Sequence, residues 1–233
     1  GWKLRPYQHA AREFMLSRRG TLLADQMRLG KTAEVVAAHD LRDGALVVCA
    51  PLATKIVWLA WMVKRWPYIK PVVLQGRKLE SEKLRGAHLV FLHYELLQYW
   101  QTMGVLDVGT VVFDEAHKLT NYKTFRSQAA MLLAGQAKRL IYATGTPLWN
   151  KPKGLFTLLD TLNPGAWGTF QRFARRYCEG GQSAFGFKAD GTSNETELRT
   201  RLKEVMIRRT WEDVSDQVPA TQRSVELVPL DLL

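Results

Sequence analysis

The chain has 233 residues, and its 33 lysine and arginine residues against 22 aspartate and glutamate residues give a formal net charge of +11. Hydrophobic residues make up 46% of the chain and aromatic residues 10%, which is typical of a folded protein and excludes a disordered tail. The length favours one large domain, or one domain with a modest appendage. The positive charge favours a polyanionic partner, nucleic acid before an acidic membrane surface, although many basic enzymes bind neither.

Cysteine and histidine are arranged unlike the ligands of a structural zinc site. Cys49 and Cys178 lie far apart, and the five histidines are not paired at metal-ligand spacing. A disulfide framework is also excluded, which indicates a reducing compartment. No run approaches the roughly 18 to 20 apolar residues of a membrane span, and residues 1–10 lack the apolar core of a signal peptide. The sequence therefore predicts no structural zinc, no membrane partner, and a cytoplasmic protein, or a nuclear one in an organism with a nucleus.

Short apolar or β-branched runs alternate with amphipathic stretches of helical length, a pattern that predicts an α/β fold with a mostly parallel sheet flanked by helices. The predicted strands are 21–24, 45–50, 72–75, 89–92, 110–113 and 140–144. Their nearly continuous hydrophobicity is typical of strands that are buried on both faces. The predicted helices are 7–18, 31–41, 54–66, 125–134 and 154–162.

The pattern changes after Asn163. Phe170, Phe173 and Tyr177 recur at helical spacing, a loop with glycine and serine follows at 180–194, and a second amphipathic helix is predicted at 195–206. We therefore predict three parts: an α/β lobe at 1–162, a helical protrusion at 163–210, and a closing segment at 211–233. The last part includes a tail strand at 223–229 that leads out toward something not in this chain.

Residues 22–32 predict a strand, a loop and the start of a helix, and the loop ends in Gly30-Lys31-Thr32. Amide groups at a helix N-terminus hold phosphate oxygens, a lysine neutralises the β- and γ-phosphates, and a threonine hydroxyl ligates Mg²⁺. Asp25 replaces the first glycine of the usual P-loop pattern, so the match is incomplete. The alternative is an ordinary helix N-cap beside a solvated lysine.

A second candidate site begins where strand 110–113 runs directly into Asp114-Glu115-Ala116-His117. Carboxylates at the carboxyl end of a buried parallel strand lie where α/β sheets bind ligands. Asp114 would hold Mg²⁺, largely through water, and Glu115 would orient and deprotonate an attacking water. The alternative is a solvated acidic turn.

In this order, the motifs resemble those of superfamily 2 nucleic-acid motors, specifically the first RecA-like lobe of a Swi/Snf-type DNA-dependent ATPase, over nearly the whole chain. The resembling segments are Leu4-Arg5-Pro6-Tyr7-Gln8, residues 25–32, Ala50-Pro51-Leu52 with Trp58, His93-Tyr94-Glu95, residues 114–119, Thr144-Gly145-Thr146-Pro147 with Asn150, and Ile207-Arg208-Arg209-Thr210 with Asp213-Val214 and Val218-Pro219. The family's P-loop normally has aspartate at the first position, so Asp25 supports the resemblance. Arg175-Arg176-Tyr177-Cys178 and the loop that follows are most similar to the HARP-like annealing-helicase branch.

The resemblance implies a role for each matched residue. ATP would be bound by Arg5, Gln8, Asp25, Met27, Leu29, Gly30, Lys31 and Thr32, with Gln8 reading the adenine edge. Mg²⁺ would be held by Thr32 and Asp114, and catalysis would depend on Lys31, Asp114 and Glu115. ATP state would be coupled to DNA by His117, Thr144, Gly145 and Thr146. The DNA backbone would be contacted, independently of base sequence, by Pro51, Thr54, Lys55, Arg77, His93 and Tyr94.

Some residues depart from the family or have ordinary explanations. Arg28 stands where the family has glycine, and it either narrows the approach to phosphate or swings outward to meet phosphate or DNA. Trp58, Trp61 and Trp66 follow the spacing of a helix face, which favours core packing over base stacking. Arg208-Arg209 is more typical of a structural ion pair than of catalysis.

The sequence therefore predicts the first motor lobe of an ATP-dependent DNA translocase or helicase. The arginine that stabilises the transition state would come from a second RecA-like lobe, in the parent chain or in trans. The chain alone is expected to hydrolyse ATP slowly. The alternatives are a non-catalytic nucleotide- or DNA-binding module that keeps the lobe as a scaffold, and the motor lobe of a restriction enzyme.

Overall fold

A seven-stranded parallel sheet forms the centre of the computed structural model, which describes residues 3–78, 81–146, 152–183 and 186–218. In chain order, the strands are β1 (Gly20–Leu23), β2 (Ala45–Ala50), β3 (Val72–Val73), β4 (Leu89–His93), β5 (Val108–Asp114), β6 (Arg139–Ala143), β7 (Gly181–Ser183), β8 (Gly186–Lys188) and β9 (Met206–Ile207). The sheet order is β3-β4-β2-β5-β6-β1-β9, and all its neighbouring strands are parallel. Strands β7 and β8 form a separate antiparallel hairpin.

Helices connect the strands and flank the sheet. In chain order, they are α1 (Pro6–Leu16), α2 (Lys31–Ala38), α3 (Lys55–Arg65), α4 (Phe125–Gly135), α5 (Pro152–Leu162), α6 (Phe170–Tyr177) and α7 (Glu195–Leu202). The predicted α/β class with a mostly parallel sheet is confirmed, and each strand and helix predicted between residues 7 and 206 overlaps an observed element. The predicted helix 31–41 is too long, because His39 is extended and Asp40 caps a separate turn by accepting a hydrogen bond from the Arg42 backbone N–H at 2.9 Å.

The segment 163–210 contains more strand than its helical spacing predicted. The loop 180–194 includes the β7–β8 hairpin, and helix α7 ends at Leu202 instead of 206. Met206 belongs to β9, because the outer edge of β1 needs hydrogen-bond partners. The Leu22 N–H donates to the Val205 carbonyl at 2.7 Å, and the Ala24 N–H donates to the Ile207 carbonyl at 2.8 Å. The predicted tail strand 223–229 lies outside the described residues, as do Pro147, Asn150 and Pro219.

The central strands are buried on both faces, as their continuous hydrophobicity predicted. All residues of β2 are buried, and successive side chains enter opposite cores, because side chains alternate across a strand. Val47 and Cys49 belong to the cluster that includes α4, α5 and α6, whereas Leu46, Val48 and Ala50 belong to the cluster that includes α1, α2 and α3. In the part of the chain that the structure describes, no helix is long and apolar enough to cross a membrane.

The strand order determines which loops meet. Because all seven strands run the same way, their carboxyl ends share one edge of the sheet. In this order, β6 lies between β5 and β1. The loops that follow β1, β6 and β5 therefore come together, and they contain the glycine-lysine-threonine segment, the Thr144 segment and the acidic segment. The loops after β2, β4 and β3 occupy the other half of the same edge.

A buried histidine lies near the opposite edge of the sheet. His39 is 2% exposed, and its Nδ1 is 3.0 Å from the Thr110 hydroxyl. Its Nε2 has no hydrogen-bond partner among the described residues. Burial lowers the pKa of His39 to about 4, and the nearby Asp43 offsets only part of this effect. The folded protein therefore keeps this ring neutral under mildly acidic conditions.

We predict that His39 makes the fold sensitive to acid. Between pH 6.5 and 4 the unfolded chain binds a proton that the folded chain excludes, so the free energy of unfolding falls as the pH is lowered through this window. From pH 7 to pH 5 this loss is roughly 2 kcal/mol. Urea denaturation of the wild type and of His39→Gln at both pH values measures it. The variant should lose less stability by about that amount, and equal losses would contradict the prediction.

Candidate functional site

The P-loop segment connects β1 to α2. Gly30 has a φ of 91° and is the N-cap residue of α2, a backbone conformation that glycine adopts without a steric penalty. Lys31 begins the helix, and its Nζ donates hydrogen bonds to the backbone carbonyls of Asp25 at 2.7 Å and Gln26 at 3.3 Å. Burial lowers the pKa of Lys31, and the surrounding carboxylates oppose that effect. The loop therefore curls around an ammonium group beside the start of a helix, with Thr32 half-buried next to it.

Arg28 has a φ of 70° in the middle of this loop. The left-handed region is uncommon for residues with a Cβ, and strained backbone of this kind concentrates at functional sites. The Arg28 side chain is exposed, and Met27 beside it is 54% exposed. Of the two alternatives drawn from the sequence, the structure has the one in which Arg28 swings outward.

Helix α1 contacts the P-loop through its first turn. The Gln8 amide donates from Nε2 to the Leu29 carbonyl at 3.2 Å and accepts, at Oε1, from the Arg5 N–H at 3.1 Å. The Tyr7 hydroxyl donates to the same Leu29 carbonyl at 2.7 Å. A Cβ on Gly30 would lie 2.5 Å from Gln8 Nε2, so any other residue here would displace this amide in addition to straining a backbone with a φ of 91°. Each end of the amide keeps one further hydrogen-bonding position for a ligand.

Two buried carboxyl groups lie behind the P-loop, Asp25 at its first position and Glu34 on α2, and both side chains are fully buried. The Arg209 guanidinium forms a bidentate ion pair with Asp25 and lies 3.2 Å from Glu34 Oε1. Arg209 also donates to the Tyr7 carbonyl, and its backbone N–H donates to Asp25 Oδ1 at 2.9 Å. Burial raises the pKa of Glu34 well above its ordinary value, and the neighbouring Asp25 adds to this effect. The ion pair expected of Arg208-Arg209 is thus formed by Arg209.

The acidic segment follows β5 directly. Asp114 is the last residue of β5, and its Oδ1 accepts the Glu115 backbone N–H at 3.0 Å. Glu115 has a φ of 55°, a left-handed backbone conformation that is strained for a residue with a Cβ. Glu115 Oε2 lies 3.2 Å from His117 Nδ1, yet the two atoms are not aligned for a hydrogen bond. Both are buried without a hydrogen-bond partner among the described residues.

The segment after β6 lies against the P-loop. The Thr144 N–H donates to the Leu23 carbonyl at 3.0 Å, and its buried hydroxyl accepts the Thr146 N–H at 3.2 Å. A Cβ on Gly145 would lie 2.6 Å from Met27 Cγ and 3.5 Å from Lys31 Nζ. The missing side chain at Gly145 therefore allows this segment to approach the lysine closely, between the P-loop and the acidic segment.

The predicted DNA contacts lie along the other half of the same edge. Pro51, Thr54 and Lys55 follow β2, and the Thr54 hydroxyl donates to the Pro51 carbonyl at 2.9 Å. Arg77 is exposed after β3. His93 ends β4, with its Nδ1 2.6 Å from Glu95 Oε2. These residues lie on one side of the predicted nucleotide-binding residues, in a separate half of the edge.

Two interactions of this region were missed from the sequence. Trp58 is buried, as its helical spacing indicated, but its indole N–H also donates to Asp114 Oδ2 at 2.8 Å. Tyr94 was predicted as a DNA contact, yet it is 2% exposed and its hydroxyl donates to the Asp114 carbonyl at 2.6 Å. A lone tryptophan or tyrosine in an apolar helix or strand gives no sign of its hydrogen-bond partner, so neither contact could be inferred from spacing.

The fold and the grouping of these loops define a RecA-like P-loop lobe, and comparison with known proteins identifies its family. The model of the SNF2-related domain matches residues 7–232, so the chain belongs to the SNF2-related domain family. The chain is 35% identical over 98% of its length to the Xenopus tropicalis SWI/SNF-related matrix-associated actin-dependent regulator of chromatin subfamily A-like protein 1, and 29% identical over 99% of its length to the mouse DNA annealing helicase and endonuclease ZRANB3. It covers 25% and 23% of these relatives, respectively.

Among solved structures, the Sulfolobus solfataricus SWI2/SNF2 ATPase core in complex with dsDNA matches 94% of this chain with a TM-score of 0.75 and 25% identity, and the chain covers 47% of that protein. These matches confirm the predicted RecA-like lobe and the resemblance to Swi/Snf-type proteins of the annealing-helicase branch. They favour this prediction over the restriction-enzyme alternative.

We predict that Arg209 and its buried neighbour Glu34 respond in opposite ways to substitution. Arg209→Met leaves the Asp25 carboxylate buried without a counter-charge and should lower the free energy of unfolding by about 3 to 5 kcal/mol. Glu34→Gln should preserve or raise it at pH 7, because the folded protein holds on Glu34 a proton that the unfolded chain releases.

Urea denaturation at pH 7 and at lower pH measures both effects. Any gain in the free energy of unfolding from Glu34→Gln should shrink as the pH falls toward 4.5, the ordinary pKa of glutamate. Equal destabilisation by the two substitutions at pH 7 would show that Glu34 is charged in the folded protein.

Proposed function

We propose that the chain is the first motor lobe of an ATP-dependent DNA translocase or helicase of Swi/Snf type. The observation that supports this most strongly is the meeting of three loops at adjacent strand ends, where Gly145 lies beside Lys31 and the Asp114 segment completes the group. The relatives support it by their names, which include a DNA annealing helicase, and a solved neighbour is a complex with dsDNA.

Residues at this edge fit a magnesium-nucleotide. The Thr32 hydroxyl and the Asp114 carboxylate offer the hard oxygen ligands that Mg²⁺ prefers, and the start of α2 offers amide groups for phosphate oxygens. Glu115 Oε2 accepts no hydrogen bond among the described residues and has only His117 Nδ1 nearby at 3.2 Å, so it can still accept a hydrogen bond from a water beside the phosphates. Thr32 and Asp114 would hold the Mg²⁺, which would supply positive charge against the negative charge of the phosphates.

The predicted site residues would then have distinct tasks in ATP hydrolysis. Lys31 would exchange its contacts with the Asp25 and Gln26 carbonyls for the β- and γ-phosphates. Glu115 would accept a proton from the attacking water, and its strained backbone fixes where that carboxylate lies. Gln8 would use its remaining donor and acceptor positions on the adenine edge. His117 follows the acidic segment, and residues 144–146 lie against the P-loop. These residues would couple the state of the nucleotide to DNA binding.

DNA binding would use the loops after β2, β3 and β4. The excess of 33 basic over 22 acidic residues supplies a general attraction to phosphate, and Lys55, Arg77 and His93 are placed along one edge to receive a backbone. Contacts to phosphate carry no base information, so binding would be independent of sequence.

A second RecA-like lobe, in the same chain or in trans, would complete the motor and supply an arginine to the transition state. The coverage of about half of a solved ATPase core supports this part of the proposal. We retain the division into a lobe at 1–162, a protrusion at 163–210 and a closing segment at 211–233 as part of it. A cytoplasmic or nuclear location also belongs to the proposal.

We predict that Lys31→Ala weakens binding of a non-hydrolysable ATP analogue by at least about tenfold in the presence of Mg²⁺, because the phosphates lose their nearest cation. Fluorescence titration of the purified chain measures the affinity. Lys203→Ala removes an exposed lysine beyond α7 and serves as the matched control, with wild-type affinity expected. Wild-type affinity in the Lys31→Ala variant would place the nucleotide elsewhere.

We predict that the chain binds random duplexes with one affinity, which falls steeply as salt is raised. Lys55→Ala and Arg77→Ala should each reduce the slope of log affinity against log salt by about one. Arg42→Ala is the control, because Arg42 precedes β2 and lies at the opposite edge of the sheet, paired with Asp40. An equal loss in all three variants would reject the proposed surface.

A further inference from the structure

The last residue of β5 is held in place by two buried aromatic side chains from other elements. Trp58 Nε1 donates to Asp114 Oδ2 at 2.8 Å, and the Tyr94 hydroxyl donates to the Asp114 backbone carbonyl at 2.6 Å. Trp58 is 1% exposed and Tyr94 is 2% exposed. With Oδ1 accepting the Glu115 N–H at 3.0 Å, both carboxylate oxygens and the peptide carbonyl are engaged. Asp114 is thus fixed in rotation and in position.

These two donors come from segments on the proposed DNA side of the edge. Trp58 lies in α3, one turn after Lys55, and Tyr94 directly follows His93 at the end of β4. The sheet order places β2 next to β5 and β4 next to β2. The segment after β2 and the segment after β4 therefore each contact Asp114 through one buried hydrogen bond.

Two cationic side chains lie near the Tyr94 ring. Lys118 Nζ lies 5.8 Å and Arg126 Cζ lies 5.7 Å from the ring centroid, within the range of cation–π attraction. Arg126 also approaches Glu95 at 3.9 Å. A polyanion that draws these cations away would change the electrostatic potential at the ring whose hydroxyl donates to the Asp114 carbonyl. Burial raises the pKa of Tyr94, so its hydroxyl remains a donor.

We propose that Trp58 and Tyr94 are positioning residues that hold Asp114 for the magnesium-nucleotide and transmit contact with the DNA backbone to it. This inference rests on the proposed function. Hydrogen bonds from residues behind a metal ligand orient it, and their loss typically weakens metal affinity by about 10- to 100-fold. The effect of DNA would reach the nucleotide through the hydrogen bonds that Trp58 and Tyr94 donate to Asp114, because both aromatic residues belong to segments that would contact phosphate.

The test uses Trp58→Phe and Tyr94→Phe, which keep an aromatic ring and remove the donor. The magnesium concentration that half-saturates binding of adenylyl imidodiphosphate is measured with and without duplex DNA. For Trp58→Phe, we expect that concentration to rise by about tenfold. Duplex DNA is expected to lower it in the wild type, and both variants should lose most of that response.

Matched controls separate positioning from packing. Trp100→Phe removes an equally buried indole whose N–H donates to the Gly76 carbonyl at 3.2 Å, and Tyr142→Phe removes an equally buried hydroxyl. Neither residue has a hydrogen bond to Asp114. Both variants should keep the wild-type magnesium dependence, and Tyr142→Phe should also keep the DNA response, even where urea denaturation shows lower stability.

A second measurement needs no substitution and serves if a variant does not fold. In a ¹H–¹⁵N spectrum of the wild-type chain, the Trp58 indole resonance should shift when Mg²⁺ and the analogue are added, and shift again with duplex DNA. The Trp100 resonance should stay in place when Mg²⁺ and the analogue are added, because its indole N–H contacts the Gly76 carbonyl and not Asp114. A stationary Trp58 resonance, or variants within twofold of the wild type, would overturn the inference while nucleotide binding persists. A wild-type chain that binds no nucleotide at any magnesium concentration would overturn the proposed function as well.

Discussion

The arrangement of the candidate site depends on how the chain satisfies one buried carboxylate. Asp25 lies two residues after the end of β1 with a fully buried side chain, and a charge in that position is costly unless it is paired and hydrogen-bonded. Its partner is Arg209, 184 positions along the chain. The same guanidinium reaches Tyr7 of α1 and Glu34 of α2. One ion pair thus joins the P-loop, the two helices around it and the segment after β9, and holds the loop against the edge of the sheet.

With that loop fixed, the parallel sheet determines the remaining contacts. The carboxyl ends of β1, β6 and β5 bring Lys31, Gly145 and Asp114 together, and the ends of β2 and β4 place the proposed DNA contacts beside them. Trp58 and Tyr94 belong to the half of the edge with the proposed DNA contacts, and each donates a hydrogen bond to Asp114 in the other half. Nucleotide and DNA would therefore act on the same residue from two sides.

The fold could be predicted from the sequence because its signals are local. Continuous apolar runs marked the buried strands, and Gly30-Lys31-Thr32 and Asp114-Glu115 identified the loops after β1 and β5. Strand β9 was missed, because two residues that complete a sheet edge are too short to interrupt a helical pattern. The indole bond of Trp58 was missed as well, because the core packing inferred from its spacing is correct and does not reveal where the N–H points. Long-range partners of this kind follow from tertiary structure alone.

The central claim is that this edge of the sheet holds a magnesium-nucleotide. A crystal structure of the chain with Mn²⁺ in place of Mg²⁺ and a non-hydrolysable ATP analogue, with an anomalous difference map, tests it most directly. We expect one anomalous peak beside the Thr32 hydroxyl and the Asp114 carboxylate, with the Lys31 ammonium moved from the loop carbonyls to the phosphates. A bound nucleotide with its metal elsewhere, or with Lys31 still on the Asp25 carbonyl, would contradict it.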